Sequence, residues 1–457
     1  MKGWRVFRWE LRIVLRERLL PIVFVTLALA ALMATLNGQA LTRQWSAVTD
    51  RYAASAAAGE AALLKTLAAG KPTAEEAGSV RTSYLRPAPP LLGLAGGRAM
   101  LDPIAVTAAP TDQLYHLFRD YQTDNPWPLV IGRFDWAFLL AVIVPLLIIA
   151  LGYDLLARDR DLGVDRQLAL GGCGRGTLLA TRTLARAVPL ALAVLVLIVV
   201  AIQVTGSGAA GWPRVSALLA LATGGMIFWW GLVALVNLRH WSAARSAAVL
   251  LSAWTMLAFV VPALVDAAAQ AIAPSPSRIE LTIAARTAEI TAQANAVGLV
   301  DRYLAGNPGL PRHPDDAAQR SDARFAVSLE IDRAVAPALA RFNATLARQH
   351  RVASMLQFLS PVGAEQSLMT EIAGTGFAAR ARFQEDVNRH YLAWRDAVAS
   401  LQFAGRPLSR ARIESLPRFP ATSASSLPLI MLTFFFVILI IPAVLTTLSV
   451  IRRQEVC

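Results

Sequence analysis

Gly132-Arg133-Phe134-Asp135 opens the stretch around which this chain is organised; Trp136 to Gly152 and Tyr153-Asp154 follow, then Arg158-Asp159-Arg160-Asp161-Leu162-Gly163 and Asp165-Arg166. Gly171-Gly172-Cys173-Gly174, Arg175-Gly176-Thr177-Leu178-Leu179 and Arg182 complete it. The run from Trp136 to Gly152 carries no charge, and a nearly upright helix crosses a bilayer with about 17 or more such residues. The alternating charges behind it do not belong in hydrocarbon, where each costs roughly 3 kcal/mol or more. The stretch therefore reads as a membrane exit followed by a short amphipathic loop.

Composition places the whole chain in the same class. Hydrophobic residues make up 55% of the 457 and charged residues 16%, a membrane-protein balance. The net charge of +13 invites a nucleic-acid partner, but the basic residues cluster in short segments beside apolar runs, where they set orientation. No basic stripe interleaved with aromatics occurs elsewhere, so no nucleic-acid partner is expected. The two cysteines, Cys173 and Cys457, fall in segments expected in the cytoplasm and imply no disulfide framework.

Outward from that stretch the chain divides into spans and insertions. Residues 1–18 are basic and aromatic, suited to an interfacial helix on the lipid headgroups. Spans are expected over 19–37, 134–153, 187–205, 215–238, 247–266 and 426–450, with extracytoplasmic domains over 38–133 and 267–425. Cytoplasmic loops at 154–186 and 239–246 and a tail at 451–457 complete the chain. The inner segments hold 16 Lys and Arg against 7 acids, which puts both termini in the cytoplasm. Gly38-Gln39-Ala40 has the small-x-small look of a signal-peptidase site, but the apolar run before it is long, and an uncleaved anchor is expected. Trp45 to Leu67 is alanine-rich and extends the first span outward as helix, until prolines and glycines from Pro87 to Gly97 break it.

The second insertion reads as a helical bundle. Ser277 and Glu280 form a capping box. Val335, Leu339, Phe342 and Leu346 make one helical stripe, and Phe383, Val387, Tyr391, Trp394, Val398 and Leu401 another. Pro337, inside the first stripe, is expected to kink or restart its helix.

The charged loop resembles the first cytoplasmic loop of ABC-2 type transporter permeases, with Asp159 and Asp161 where that family usually has Glu. Val164 stands for Thr, Gly172 for a common Pro and Arg182 for Lys. The resemblance extends to a subgroup with two large extracytoplasmic insertions. It is carried by Asn125-Pro126, Gly132-Arg133-Phe134-Asp135, Pro274-Ser275-Pro276-Ser277-Arg278-Ile279-Glu280-Leu281, Ile372-Ala373-Gly374-Thr375-Gly376 and Trp394-Arg395-Asp396. It implies an α-helical polytopic membrane protein with six transmembrane helices and two extracytoplasmic domains, the second mainly helical, in the cytoplasmic membrane of a bacterium. It also implies ABC ATPase subunits and a second permease as partners, homo- or heterodimeric, with ATP-Mg on the ATPase and no cofactor here. The ATPase-coupling loop would then comprise Arg158, Asp159, Arg160, Asp161, Gly163, Asp165, Arg166, Arg175 and Arg182, with Asp159, Asp161 and Arg166 presented to the partner.

No catalytic or metal site is expected. Gly70-Lys71 lacks a P-loop glycine, since Lys65 stands at the required position. The five histidines, His116, His240, His313, His350 and His390, are not at metal-ligand spacing. None of the six apolar runs contains an ionisable residue, whereas ion-coupled carriers usually need one in the membrane. Energy is therefore expected from outside the chain, and Gly224-Gly225 and Trp229-Trp230 suit either a lipophilic or amphipathic substrate or helix packing. Two further readings stand beside the permease. One is a mechanical transmitter that works its insertions on an extracytoplasmic partner, and the other a membrane-anchored receptor or enzyme.

Overall fold

A computed structural model describes residues 2–68, 80–97, 99, 103–118, 134–161, 163, 174–239, 241–274, 276–310, 312–313, 316–403, 409–420 and 427–455. The helices are α1 (Lys2–Val14), α2 (Leu19–Ala68), α3, α4 (Ala157–Asp161), α5 (Arg175–Val204), α6 (Trp212–Asn237) and α7 (Ala243–Ile272). They continue as α8 (Arg278–Ala294), α9 (Ala296–Gly306), α10 (Asp316–Leu356), α11 (Pro361–Ala373), α12 (Phe377–Phe403), α13 (Arg410–Glu414) and α14 (Leu429–Glu455). The helix α3 comprises Trp136–Phe138, a π-helical turn over Leu139–Ile143 and Val144–Gly152. Among the described residues six helices, α2, α3, α5, α6, α7 and α14, are long and apolar enough to cross a bilayer. The chain is an α-helical protein of membrane character.

The six helices run alternately up and down. One end of the bundle carries α1, α4 and the close of α14, and is called the terminal end; the other carries both insertions. Along α6, Gly224 packs against Leu439 and Phe436 of α14, and Gly231 against the Pro442 and Ala443 backbone. Trp229 is buried beside them. These glycines serve close helix contact, as small residues do in membranes.

Two spans widen at matching sequences. Leu140-Ala141-Val142-Ile143-Val144-Pro145 in α3 and Leu257-Ala258-Phe259-Val260-Val261-Pro262 in α7 each hold a π-helical turn just before the proline. Proline lacks the N–H that would close the preceding turn, and a π turn leaves carbonyls open to other donors. Both are used: Trp254 Nε1 donates to Val142 O at 3.1 Å, and Ser360 Oγ donates to Leu257 O at 2.5 Å.

The insertions, expected as separate domains, share one core. Antiparallel strands β1 (Thr82–Leu85) and β2 (Ala105–Ala108) pair Thr82 with Ala108 and Leu85 with Ala105. Tyr84, Val106 and Ala108 then pack on Phe383, Val387, Tyr391 and Trp394 of α12. The Tyr391 hydroxyl donates to Ala109 O, and Asp332 of α10 accepts from Leu114 N at 3.0 Å and Arg395 at 2.5 Å. The aromatic stripe of α12 is thus the floor on which the first insertion sits. In α10 the helix continues through Pro337 without restarting. Burial of Ile331 and Val335 against α8 holds that stretch despite the lost hydrogen bond.

Candidate functional site

At the terminal end the charged loop is built into a clamp. Arg182, near the start of α5, donates Nε to Glu10 of α1 at 3.0 Å, and its Nη1 to Asp159 of α4 at 2.6 Å and to Leu155 O at 2.7 Å. The three side chains are 13%, 6% and 18% exposed respectively. One turn on, Arg186 reaches Glu17 at 3.4 Å, and Glu17 lies 3.8 Å from Arg158. Glu10 lies on α1 and Glu17 in the turn that follows it, so two acids meet two arginines placed four residues apart on α5. Reading residues 1–18 only as a basic lipid-facing helix passes over these two acids.

A second joint closes α4 onto α6. The buried Asn237 donates to Gly152 O and Val233 O, each at 2.9 Å, and accepts from Leu156 N at 3.1 Å. It satisfies backbone groups left open where α3 ends. Arg160 donates to Asn237 O at 3.1 Å and to Arg239 O. Four elements, α1, α4, α5 and α6, thereby form one platform.

The expected coupling residues do not all face outward. Asp159, Arg160 and Arg182 are turned into the platform, so Asp159, expected to be presented to a partner, is held by Arg182 of the same chain. Their geometry explains it: two carboxylates converge on one guanidinium that supplies several fixed donors. Arg158 is 63% exposed, Arg175 opens α5 on the surface, and Gly163 has φ +70°, a left-handed turn that glycine adopts without strain. Asp161 ends α4, but its side chain lies outside the described residues, as do Asp165 and Arg166 entirely.

At the insertion end the bundle is closed by backbone contact. Residues 91–97 thread between α2, α5 and α11. Leu94 O accepts from Trp136 N at 3.0 Å, Asp135 accepts from Gly96 N at 3.1 Å and Phe138 N at 2.9 Å, and Thr375 Oγ1 donates to Ala95 O at 2.7 Å. A Cβ on Gly38 would lie 1.8 Å from Gly93 O, so only glycine allows this approach.

One titratable side chain enters the bundle from the second insertion. Ser360 caps α11 and fixes its start to the middle of α7 through Leu257 O, while Arg214 of α6 donates to Ile372 O at 2.6 Å. Between these anchors Glu365 is 3% exposed and lies against Gly225, halfway along α6, where a Cβ would be 2.5 Å from Oε1. No cation or hydrogen-bond donor reaches its carboxyl among the described residues, and burial holds that carboxyl well above the ordinary carboxylate range. A scan of the apolar runs misses Glu365, because α11 reads as part of the outer bundle.

Residues 278–422, spanning α8 to α13 and so including Glu365, match a family model described as Domain of unknown function (DUF3526). No curated protein and no solved structure matches the chain.

Proposed function

We propose that the chain is the membrane-spanning permease subunit of an ABC-2 type transporter. It moves a lipophilic or amphipathic substrate across the cytoplasmic membrane of a bacterium, with both termini in the cytoplasm. Energy comes from separate ATPase subunits that bind ATP-Mg, and a second permease completes the pathway. The observation that carries this reading is the terminal-end platform. Force applied to α4 passes through Arg182 into α5 and α1, and through Arg160 into α6. A loop that only held topology would need no such bracing. An apolar groove of about 660 Å³ between α5, α6 and α14, lined by Leu195, Val199, Leu219, Thr223, Gly224 and Phe436, opens on the outer face of the bundle.

The mechanical-transmitter reading is favoured by one observation of its own: the 50-residue α2 runs from the bundle into the insertion end, where both insertions share one core. Reconstitution of the chain with an ABC ATPase that co-purifies with it separates the readings. The permease reading expects ATP-dependent movement of a lipophilic probe across vesicles and ATP hydrolysis faster than by the ATPase alone. Stimulated hydrolysis without movement of any probe favours the transmitter. Absence of stimulation contradicts both.

A further inference from the structure

The six apolar runs contain no ionisable side chain, yet α11 brings one to their centre. The Glu365 carboxyl sits on the Gly225 backbone, and the charged groups on the elements around it are engaged elsewhere. Arg214 of α6 is bound to Ile372 O, Asp135 ahead of α3 to backbone N–H groups, and Asp266 of α7 to Gln270. Glu371, on α11 itself, accepts from Ala378 N. Arg380 and Arg382 lie on α12, beyond the opposite end of α11. Arg452, Arg453 and Glu455 fall in the last turns of α14, at the terminal end. The 357–359 turn and the π-helical turn of α7 carry no charge.

A metal cation does not suit this place. Hard cations take about six or more oxygens, and the carboxyl offers two. The Ser360 hydroxyl is spent on Leu257 O and Gly363 N, and the Thr223 hydroxyl on Leu219 O. A proton needs only the carboxyl.

We propose that Glu365 is a proton-binding site inside the helical bundle, neutral while α11 is seated against α6 and ionised when that seat opens to water. On opening, the carboxyl O–H breaks, its electron pair stays on the carboxylate and the proton passes to the entering water. The proposal rests on the bundle geometry alone and holds whatever drives the bundle. It adds a titratable group to a bundle whose six apolar runs carry none.

The linkage has a definite sign. The seated carboxyl binds its proton more tightly than the hydrated one, so proton binding stabilises the seat. That stabilisation is full below the hydrated carboxyl's range and is lost as pH rises through the seated value. Within the window the open fraction grows up to about tenfold per pH unit.

The test uses the full chain in lipid nanodiscs between about pH 5 and pH 9, a range that spans ordinary and buried carboxyls. Hydrogen exchange in 361–373, corrected for the intrinsic rate, reads opening of the seat. Infrared difference spectra of wild type against Glu365→Gln read the carbonyl stretch of the protonated acid. The expected result is exchange that accelerates with pH in wild type and stays slow and flat in Glu365→Gln. A protonated-carboxyl band present only in wild type should fade over the same range. In Gly225→Ala, where the added Cβ crowds Oε1, wild-type-like exchange rates are expected to appear at lower pH. An ionised Glu365 in wild type at the acid end, or the same pH profile in wild type and Glu365→Gln, would overturn the proposal. Should Glu365→Gln not fold, the wild-type band and the Gly225→Ala shift decide the matter.

Discussion

The two ends of the bundle are closed by different physics. At the terminal end Arg182 gathers Glu10, Asp159 and Leu155 O, and the contact depends on charge. At the insertion end Gly38 meets Gly93, Leu94 O meets Trp136 N, and the charged groups Asp135 and Arg214 bind backbone, so closure depends on backbone shape. A charged clamp can be sensed from outside by another charged surface and moved as a unit. A shape-closed end responds instead to rearrangement of the helices it caps. The difference teaches that a charged loop is not by that fact a docking surface, since its best-placed charges here bind the chain to itself.

Substitutions sharpen the contrast. The largest effect is expected for Arg182→Met, which leaves two nearly buried carboxylates unpaired and should cost about 3–5 kcal/mol. Denaturant titration of the protein in detergent measures it, and Arg182→Lys, which keeps charge but loses the fork, should recover part. Gly38→Ala attacks the other end, where steric overlap with Gly93 should cost about 1–3 kcal/mol, insensitive to salt. Asp159→Asn removes one arm of the clamp while Arg182 keeps Glu10 and Leu155 O, and should cost about 1.5 kcal/mol. The smallest effect, under about 0.5–1 kcal/mol, is expected for Arg158→Ala, whose side chain is mostly solvent-exposed. A salt-insensitive Arg182→Met, or a harmless Gly38→Ala, would break the comparison.

The sequence was legible where one physical rule governs a segment. Apolar length located the six long helices, and Ser277 caps α8 by accepting from Glu280 N, while the stripe from Phe383 to Val398 is buried as read. What stayed hidden depends on partners distant in sequence. Asp159 lies 23 residues from Arg182, and Glu10 lies 172 away, so spacing along one helix could not pair them. Nothing local distinguishes α11 from its neighbours; its place inside the bundle is set by Ser360 on Leu257 and by the absence of a side chain at Gly225. The paired Leu-Ala-x-x-Val-Pro segments were readable as a repeat, and their meaning lies in the open carbonyls they create.

Arg158 gives the most direct test of the central claim, because it leaves the platform exposed and contributes little to folding. A single cysteine at Arg158→Cys, with Cys173 and Cys457 replaced by serine, would be challenged with a short crosslinker in membranes containing the ATPase. A crosslink to the ATPase that changes in yield with ATP is the expected result. Arg158→Glu should also weaken co-purification of the ATPase while lowering stability by no more than about 1 kcal/mol. No crosslink, together with full retention of the ATPase by Arg158→Glu, would contradict the assignment of this face as the coupling surface.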